Sequence, residues 1–97
     1  MPTYISLINW TDQGIRSAKD TVDRAAAAAK AAEGMGGKLR DVYWTVGSYD
    51  LVTIGEFPDD ATGTAFLLAL GAQGNIRSTT LRAHNSDEMS EILKKLP

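Results

Sequence analysis

Six side chains in this sequence are candidates for catalysis or for contact with a ligand. His84 is the only histidine, and an imidazole with an ordinary pKa near ~6.5 can act as a general base or bind a metal or haem. The others are aromatic, acidic and basic side chains suited to contact a small ligand: Trp10, Trp44, Tyr49, Asp50 and Arg82. We therefore take His84 as the catalytic candidate and the other five as ligand-binding candidates.

Each candidate also has a purely structural interpretation. The two tryptophans can stack on an aromatic ligand or pack in a core or interface. Tyr49 and Asp50 belong to the turn Gly47-Ser48-Tyr49-Asp50, where an Asp side chain can bond turn N–H groups and Gly supports a positive φ. Arginine presents a planar fork that fits a carboxylate ligand, but it also pairs with acidic side chains on neighbouring strands. The basic candidates for either role are Arg82, Arg77, Arg40 and Lys38.

Composition excludes several classes of function. The chain has no cysteine, so disulfides and thiolate metal sites are excluded, and no cluster of metal-ligating residues occurs at ligand spacing. A formal net charge of −2 disfavours nucleic-acid binding. No apolar run is long enough to span a membrane, and the N-terminus lacks the pattern of a signal peptide. We expect a cytoplasmic protein with no metal and no cofactor.

The elements that must position the candidates alternate between strands and helices. Strands are predicted over residues 3–10, 38–46, 50–57 and 75–83. A first helix is predicted from a cap at Thr11 or Asp12 to the glycines that begin at Gly34. A second helix opens at Pro58-Asp59-Asp60 and ends at Gly71 and Gly74, and a short third helix is capped by Ser86. Residues 1–97 are therefore predicted to be one α+β domain, a ferredoxin-like βαββαβ fold with a four-stranded antiparallel sheet and a short C-terminal helix.

Apolar residues occur on both faces of the predicted strands. Residues 4, 6, 8 and 10 alternate with residues 5, 7 and 9 in the first strand, and neither set is plainly polar. Two helices cover only one face, and an antiparallel sheet open to water normally alternates cleanly between apolar and polar residues. We therefore expect a homodimer or higher oligomer that covers the second face.

The sequence resembles the bacterial GYD domain family in three segments. The first is Trp10-Thr11-Asp12-Gln13-Gly14, the second runs from Val46 to Asp59 around Gly47-Ser48-Tyr49-Asp50, and the third runs from Leu70 to Ala83. The resemblance implies a dimeric α/β barrel in which two sheets close around a central cavity, and it implies no settled activity. The strand-helix order also resembles that of the ligand-binding domain of feast/famine regulators. In that domain, small effectors bind at subunit interfaces.

Two functions follow as hypotheses. The first is a homo-oligomeric module that binds a small molecule in or near a dimer-interface cavity. The alternative is a small dimeric-barrel enzyme, of the cofactor-free oxygenase or isomerase type, that uses His84 with Trp44 or Tyr49. Whether there is any catalysis is left open by the sequence.

Overall fold

Four antiparallel strands form one sheet in a computed structural model that describes every residue from Met1 to Pro97. The strands are β1 (Thr3–Trp10), β2 (Lys38–Trp44), β3 (Leu51–Glu56) and β4 (Ile76–Ala83), and their order across the sheet is β2-β3-β1-β4. The helices are α1 (Asp12–Arg16), α2 (Thr21–Gly34), α3 (Asp60–Ala72) and α4 (Ser86–Leu93). This arrangement confirms the predicted α+β class, the ferredoxin-like order and the C-terminal helix.

The first predicted helix is in fact two. A 3₁₀ turn over Ala18–Asp20 separates α1 from α2, so the prediction of a continuous helix was wrong. The guanidinium of Arg24 donates to the carbonyls of Ser17, at 2.7 Å, and Gly14, at 3.1 Å. Each carbonyl also accepts a backbone N–H, that of Asp20 for Ser17 and that of Ser17 for Gly14, so the guanidinium adds a second bond to each. The break is therefore stabilised by a side chain from the following helix.

Element ends differ from the sequence prediction by one or two residues. β2 stops at Trp44 instead of residue 46, although the N–H of Thr45 still donates to the carbonyl of Asp50 at 2.8 Å. Asn85, and not Ser86, caps α4: its side chain accepts from the N–H of Glu88, and the Glu88 carboxylate accepts from the N–H of Asn85. This reciprocal capping box satisfies two otherwise unpaired donors. The predicted cap at Thr11 is confirmed by its bond from the N–H of Gly14.

The hydrophobic core lies between the sheet and the helices α2 and α3. Its buried residues are Ala32, Phe57 and Phe66, and the two phenylalanine rings have centroids 4.9 Å apart. Partly buried residues from both helices and from β1 and β2 surround them: Tyr4, Ala28, Met35, Leu39 and Leu70. We call this side of the sheet the covered face.

The opposite side of the sheet, which we call the open face, carries no residue of this core. Its centre consists of Ile5 and Leu7 of β1 with Val52 and Ile54 of β3, and all four are only partly buried. Tyr43 on β2 and Leu81 on β4 extend the apolar surface to both edges, with exposed fractions of 60% and 48%. No helix of the protein has the length and apolar character needed to cross a membrane.

The C-terminal helix α4 stands away from the rest of the molecule. Every residue from Met89 to Pro97 is exposed, and the hydrogen bonds of α4 remain within residues 85–96. The radius of gyration is 14.5 Å, whereas a compact chain of this length has about 12.5 Å. The molecule is correspondingly elongated, with extents of 51 × 31 × 18 Å.

Candidate functional site

A cavity of about 90 Å³ lies between the covered face and the helices α2 and α3. β1 supplies its floor, because alternate residues of a strand point to the same side: Tyr4, Ser6, Ile8 and Trp10. Small and apolar side chains of the two helices form its roof: Ala25, Ala28, Phe66, Leu67 and Leu70. The cavity is therefore mostly apolar, with a polar or aromatic group at each end of β1.

Three charged or polar groups meet at the Tyr4 end of the cavity. The hydroxyl of Tyr4 donates to the carboxylate of Asp60, and the Arg82 guanidinium lies 3.6 Å from the same carboxylate. Arg82 also lies over the Tyr4 ring, 5.7 Å from its centroid. Burial and then the hydrogen bond to Asp60 raise the pKa of Tyr4 to about 12. The phenol is thus held in its protonated form as a donor to Asp60.

α3 reaches this cluster because of its first turn. Asp59 caps the helix by accepting from the N–H of Thr62, and this bond lowers the pKa of Asp59. A Cβ atom at Gly63 would lie 2.9 Å from the Tyr4 ring. Glycine at this position therefore lets α3 approach β1 closely enough for the Tyr4–Asp60 hydrogen bond.

At the Trp10 end, the side chain of Asp50 joins two strands. Its carboxylate accepts from the backbone N–H of Trp10 at 2.9 Å, and its own N–H donates to the carbonyl of Ile8 at 2.8 Å. Trp44 is close by in the register, and its indole N–H donates to the hydroxyl of Thr21 at 3.0 Å. Both side chains thus have partners within the chain, in β1 and at the start of α2.

The structure divides the six sequence-based candidates between opposite ends of the sheet. Trp10, Trp44, Tyr49 and Asp50 lie at one end. Arg82, which pairs with Tyr4 across β1 and β4, lies at the other, and His84 follows β4 there. Tyr4 and Trp10 are six residue steps apart on β1, or ~20 Å of strand. Only Trp10 among the six lines the cavity.

Two neighbours of Arg82 were missed as site residues by sequence reasoning. Tyr4 was predicted only as part of the first strand, and Asp60 only as a carboxylate near a helix start. The one sequence signal for their contact is the pair of small or short positions, Asp60 and Gly63, one turn apart at the start of α3. That signal does not specify which strand residue the helix meets.

Three properties limit what the cavity can bind. Every buried side-chain N or O atom has a hydrogen-bond partner within the chain, including the buried Ser6 hydroxyl, which lies 2.9 Å from that of Thr80. The volume of about 90 Å³ is well below the ~300–1,000 Å³ typical of ligand sites. No group of three or more metal-ligating side chains is present. The cavity as it stands suits a small apolar group.

The open face has the composition of a protein interface. Its apolar centre lies on the two central strands, β1 and β3, and charged or polar residues lie around it. At one border Arg40 bonds both Glu56, at 3.0 Å, and Asp41, at 3.1 Å, and the bond to Asp41 is the main cause of a raised Arg40 pKa. Asn9 and Arg77 form the opposite border. An apolar centre with a polar rim is typical of surfaces that bind another protein.

The fold and these two surfaces define a ferredoxin-like α+β domain with one covered and one uncovered sheet face. The sequence profile described as the GYD domain matches residues 4–93, and the chain belongs to the GYD domain family. The chain is also similar to a Thermus thermophilus protein named "Glutamine synthetase and cystathionine beta-lyase binding protein", with 31% identity over 84 residues. That alignment covers 86% of this chain and 88% of the relative. No solved structure matches the chain.

Proposed function

We propose that this chain is a protein-binding module that works as a homodimer and whose partners are metabolic enzymes. The observation that carries the proposal is the open face, with its apolar centre on β1 and β3 and its polar rim. Contiguous apolar surface of this kind, left uncovered, marks interaction sites in proteins. Pairing of two open faces about a two-fold axis would cover both at once.

The enzyme partners are inferred from the Thermus relative. Its printed name gives glutamine synthetase and cystathionine β-lyase as what it binds. The cavity supports this assignment over a metabolite-binding role, because it is small and holds no unpaired buried polar group. His84 has no part in the proposal, since it is exposed, lacks a hydrogen bond and does not line the cavity.

A small-molecule ligand is a second candidate, favoured by the apolar cavity beside Trp10. This cavity lies within one chain, whereas the interface cavity expected from the sequence needs a second copy. A ligand in the cavity within the chain would be an apolar group of a few atoms. A ligand in the interface cavity would depend on dimerisation. Native mass spectrometry of the protein as purified distinguishes a molecule retained on the monomer from one retained on the dimer.

Two measurements test the main proposal. Sedimentation equilibrium is expected to give twice the 10.4 kDa chain mass at micromolar concentration, and calorimetric titration is expected to show binding of glutamine synthetase or cystathionine β-lyase from the same organism. Ile54→Lys places a charge at the centre of the open face and should yield a folded monomer. Ala27→Lys adds the same charge at an exposed position of α2 and is the matched control.

Two results would contradict the proposal. A wild-type monomer at micromolar concentration would remove the dimer. Failure of both enzymes to bind the wild-type protein would remove the proposed partners, whatever its oligomeric state.

A further inference from the structure

The outer surface of α3 and the neighbouring edge strand form an apolar groove. It holds about 520 Å³ and is lined mainly by Leu68, Gly71 and Ala72 of α3 with Ile76, Arg77 and Ser78 of β4, and we call it the α3/β4 groove. Leu68 at its rim is 70% exposed. α3 has apolar residues on all sides, and a helix of this kind is normally buried. This surface therefore lacks a cover within the chain.

A second uncovered apolar surface is the stripe along α4. Met89, Ile92 and Leu93 recur at steps of three and four residues, so they share one side of α4, and Leu96 follows three residues after the helix ends. Their exposed fractions range from 37% to 67%. The helical part of the stripe, from Met89 to Leu93, is ~6 Å long at 1.5 Å per residue. It fits within the ~12 Å of α3 between Thr64 and Ala72 that borders the groove, with room for Leu96.

We propose that α4 of one copy of this chain docks in the α3/β4 groove of a second copy. Each copy offers one stripe and one groove, so a reciprocal exchange about a two-fold axis uses both surfaces of both chains. The exchange does not require the open faces to pair. It goes beyond the proposed function by assigning a role to the C-terminal helix.

Charge favours this occupant. Arg77 at the groove makes no ion pair within its own chain. Glu88 flanks the apolar stripe in the acidic first turn of α4, where Asp87 also lies. Docking with the start of α4 at the Ala72 end of the groove would bring these carboxylates near Arg77. The same acidic residues disfavour an anionic membrane surface as the partner of the stripe.

α4 does not lie in the groove of its own chain. Every residue from Met89 to Pro97 is exposed, and the hydrogen bonds of α4 remain within residues 85–96. Only His84 and Asn85 connect β4 to α4, and Asn85 is fixed in the capping box. The stripe and the groove are therefore both exposed in the single chain.

The absence of cysteine allows a direct test by disulfide formation. One chain carries Leu68→Cys in the groove, and a second, tagged chain carries Ile92→Cys on the stripe. The two are mixed in a glutathione redox buffer, and mass spectrometry separates the mixed dimer from the two homodimers. Ser90→Cys is the matched control, because position 90 lies roughly 160° around the helix from position 92. We expect at least about tenfold more mixed disulfide with Ile92→Cys than with Ser90→Cys, and formation of any disulfide still requires the two sites to come close.

A double variant with Leu68→Cys and Ile92→Cys in one chain separates the two arrangements. Exchange predicts covalent dimers from this variant, and an internal disulfide in a monomer would overturn it. Equal yields with Ile92→Cys and Ser90→Cys, or no mixed disulfide with either, would also overturn it. Repeating the mixture with Ile54→Lys in both chains shows whether exchange persists when the open faces cannot pair, so failure of the proposed function and failure of this contact give different results.

Discussion

The covered and open faces of the sheet are made from alternate residues of the same strands, yet they differ in burial within a single chain. On β3, Leu51 is buried against the helices, whereas Val52 and Ile54, on the other side, are only partly buried. Both sets are apolar, so the difference comes from the helices and not from the strands. The apolar pattern of such a strand therefore does not specify which face is buried within the chain; the positions of the helices determine it.

Phe66→Ala compared with Ile54→Ala tests this difference most strongly. Phe66 is 3% exposed and packs against Phe57, so its truncation should lower the free energy of unfolding by about 3–5 kcal/mol. Ile54 is partly exposed in the single chain, and its truncation should cost less than about 1 kcal/mol in a monomer. Urea unfolding at nanomolar protein concentration measures both values.

Raising the protein concentration sharpens the comparison. If the open faces pair, the loss caused by Ile54→Ala should grow with concentration, because the wild type gains stability from dimerisation. The loss caused by Phe66→Ala should stay nearly constant. Equal losses for the two variants at nanomolar concentration would contradict the distinction between the faces.

Much of the sheet could be predicted because strand parity and antiparallel order are local properties. They assign Trp10 and Asp50 to one end and Arg82 to the other, although the sequence-based hypothesis treated all three as one ligand-binding group. The Tyr4–Asp60 contact could not be predicted, since it depends on how closely α3 approaches β1 at Gly63. The break between α1 and α2 was also missed, because Arg24 stabilises it from the next helix.

Substitution of Asp50 tests whether its side chain, at the Trp10 end of the sheet, stabilises the fold. Asp50→Ala removes the acceptor of the Trp10 N–H and should lower the free energy of unfolding by about 1.5–3 kcal/mol, the range for a hydrogen bond to a charged group. Asp50→Asn keeps an acceptor oxygen and should lose less than half of that. Chemical denaturation of the three proteins measures the series. A loss below about 0.5 kcal/mol for Asp50→Ala would leave the carboxylate without a structural role and strengthen a ligand-binding one.

The raised pKa of Tyr4 predicts that the free energy of unfolding falls at high pH. The folded-state pKa is raised to about 12, above the ~10 of an unfolded tyrosine. The unfolded chain therefore loses its phenolic proton first, so this contribution is complete below pH ~10 and is lost as pH rises towards 12. The loss should stay below about 1 kcal/mol because Tyr4 is partly exposed.

Tyr4→Phe isolates this contribution. Its free energy of unfolding should change less between pH 9 and pH 11 than that of the wild type, by urea denaturation at both values. An identical pH dependence in the two proteins would show that the Tyr4 proton is not linked to folding.

The smallest expected effect on the unfolding of a monomer concerns the rim of the open face. Arg40 and Glu56 are 45% and 27% exposed in the single chain, and an ion pair in that setting contributes about 0–1 kcal/mol. Glu56→Gln should therefore leave the unfolding of a monomer almost unchanged. If open faces pair, however, the same side chains lose water, and Glu56→Gln would leave Arg40 with Asp41 as its one acidic partner in the interface, which becomes costly. Sedimentation equilibrium should then show about a tenfold or greater rise in the dimer dissociation constant for Glu56→Gln and little change for Glu33→Gln, an exposed carboxylate on α2. The same small rise for both variants would place the Arg40–Glu56 pair outside the interface and limit pairing to the apolar centre.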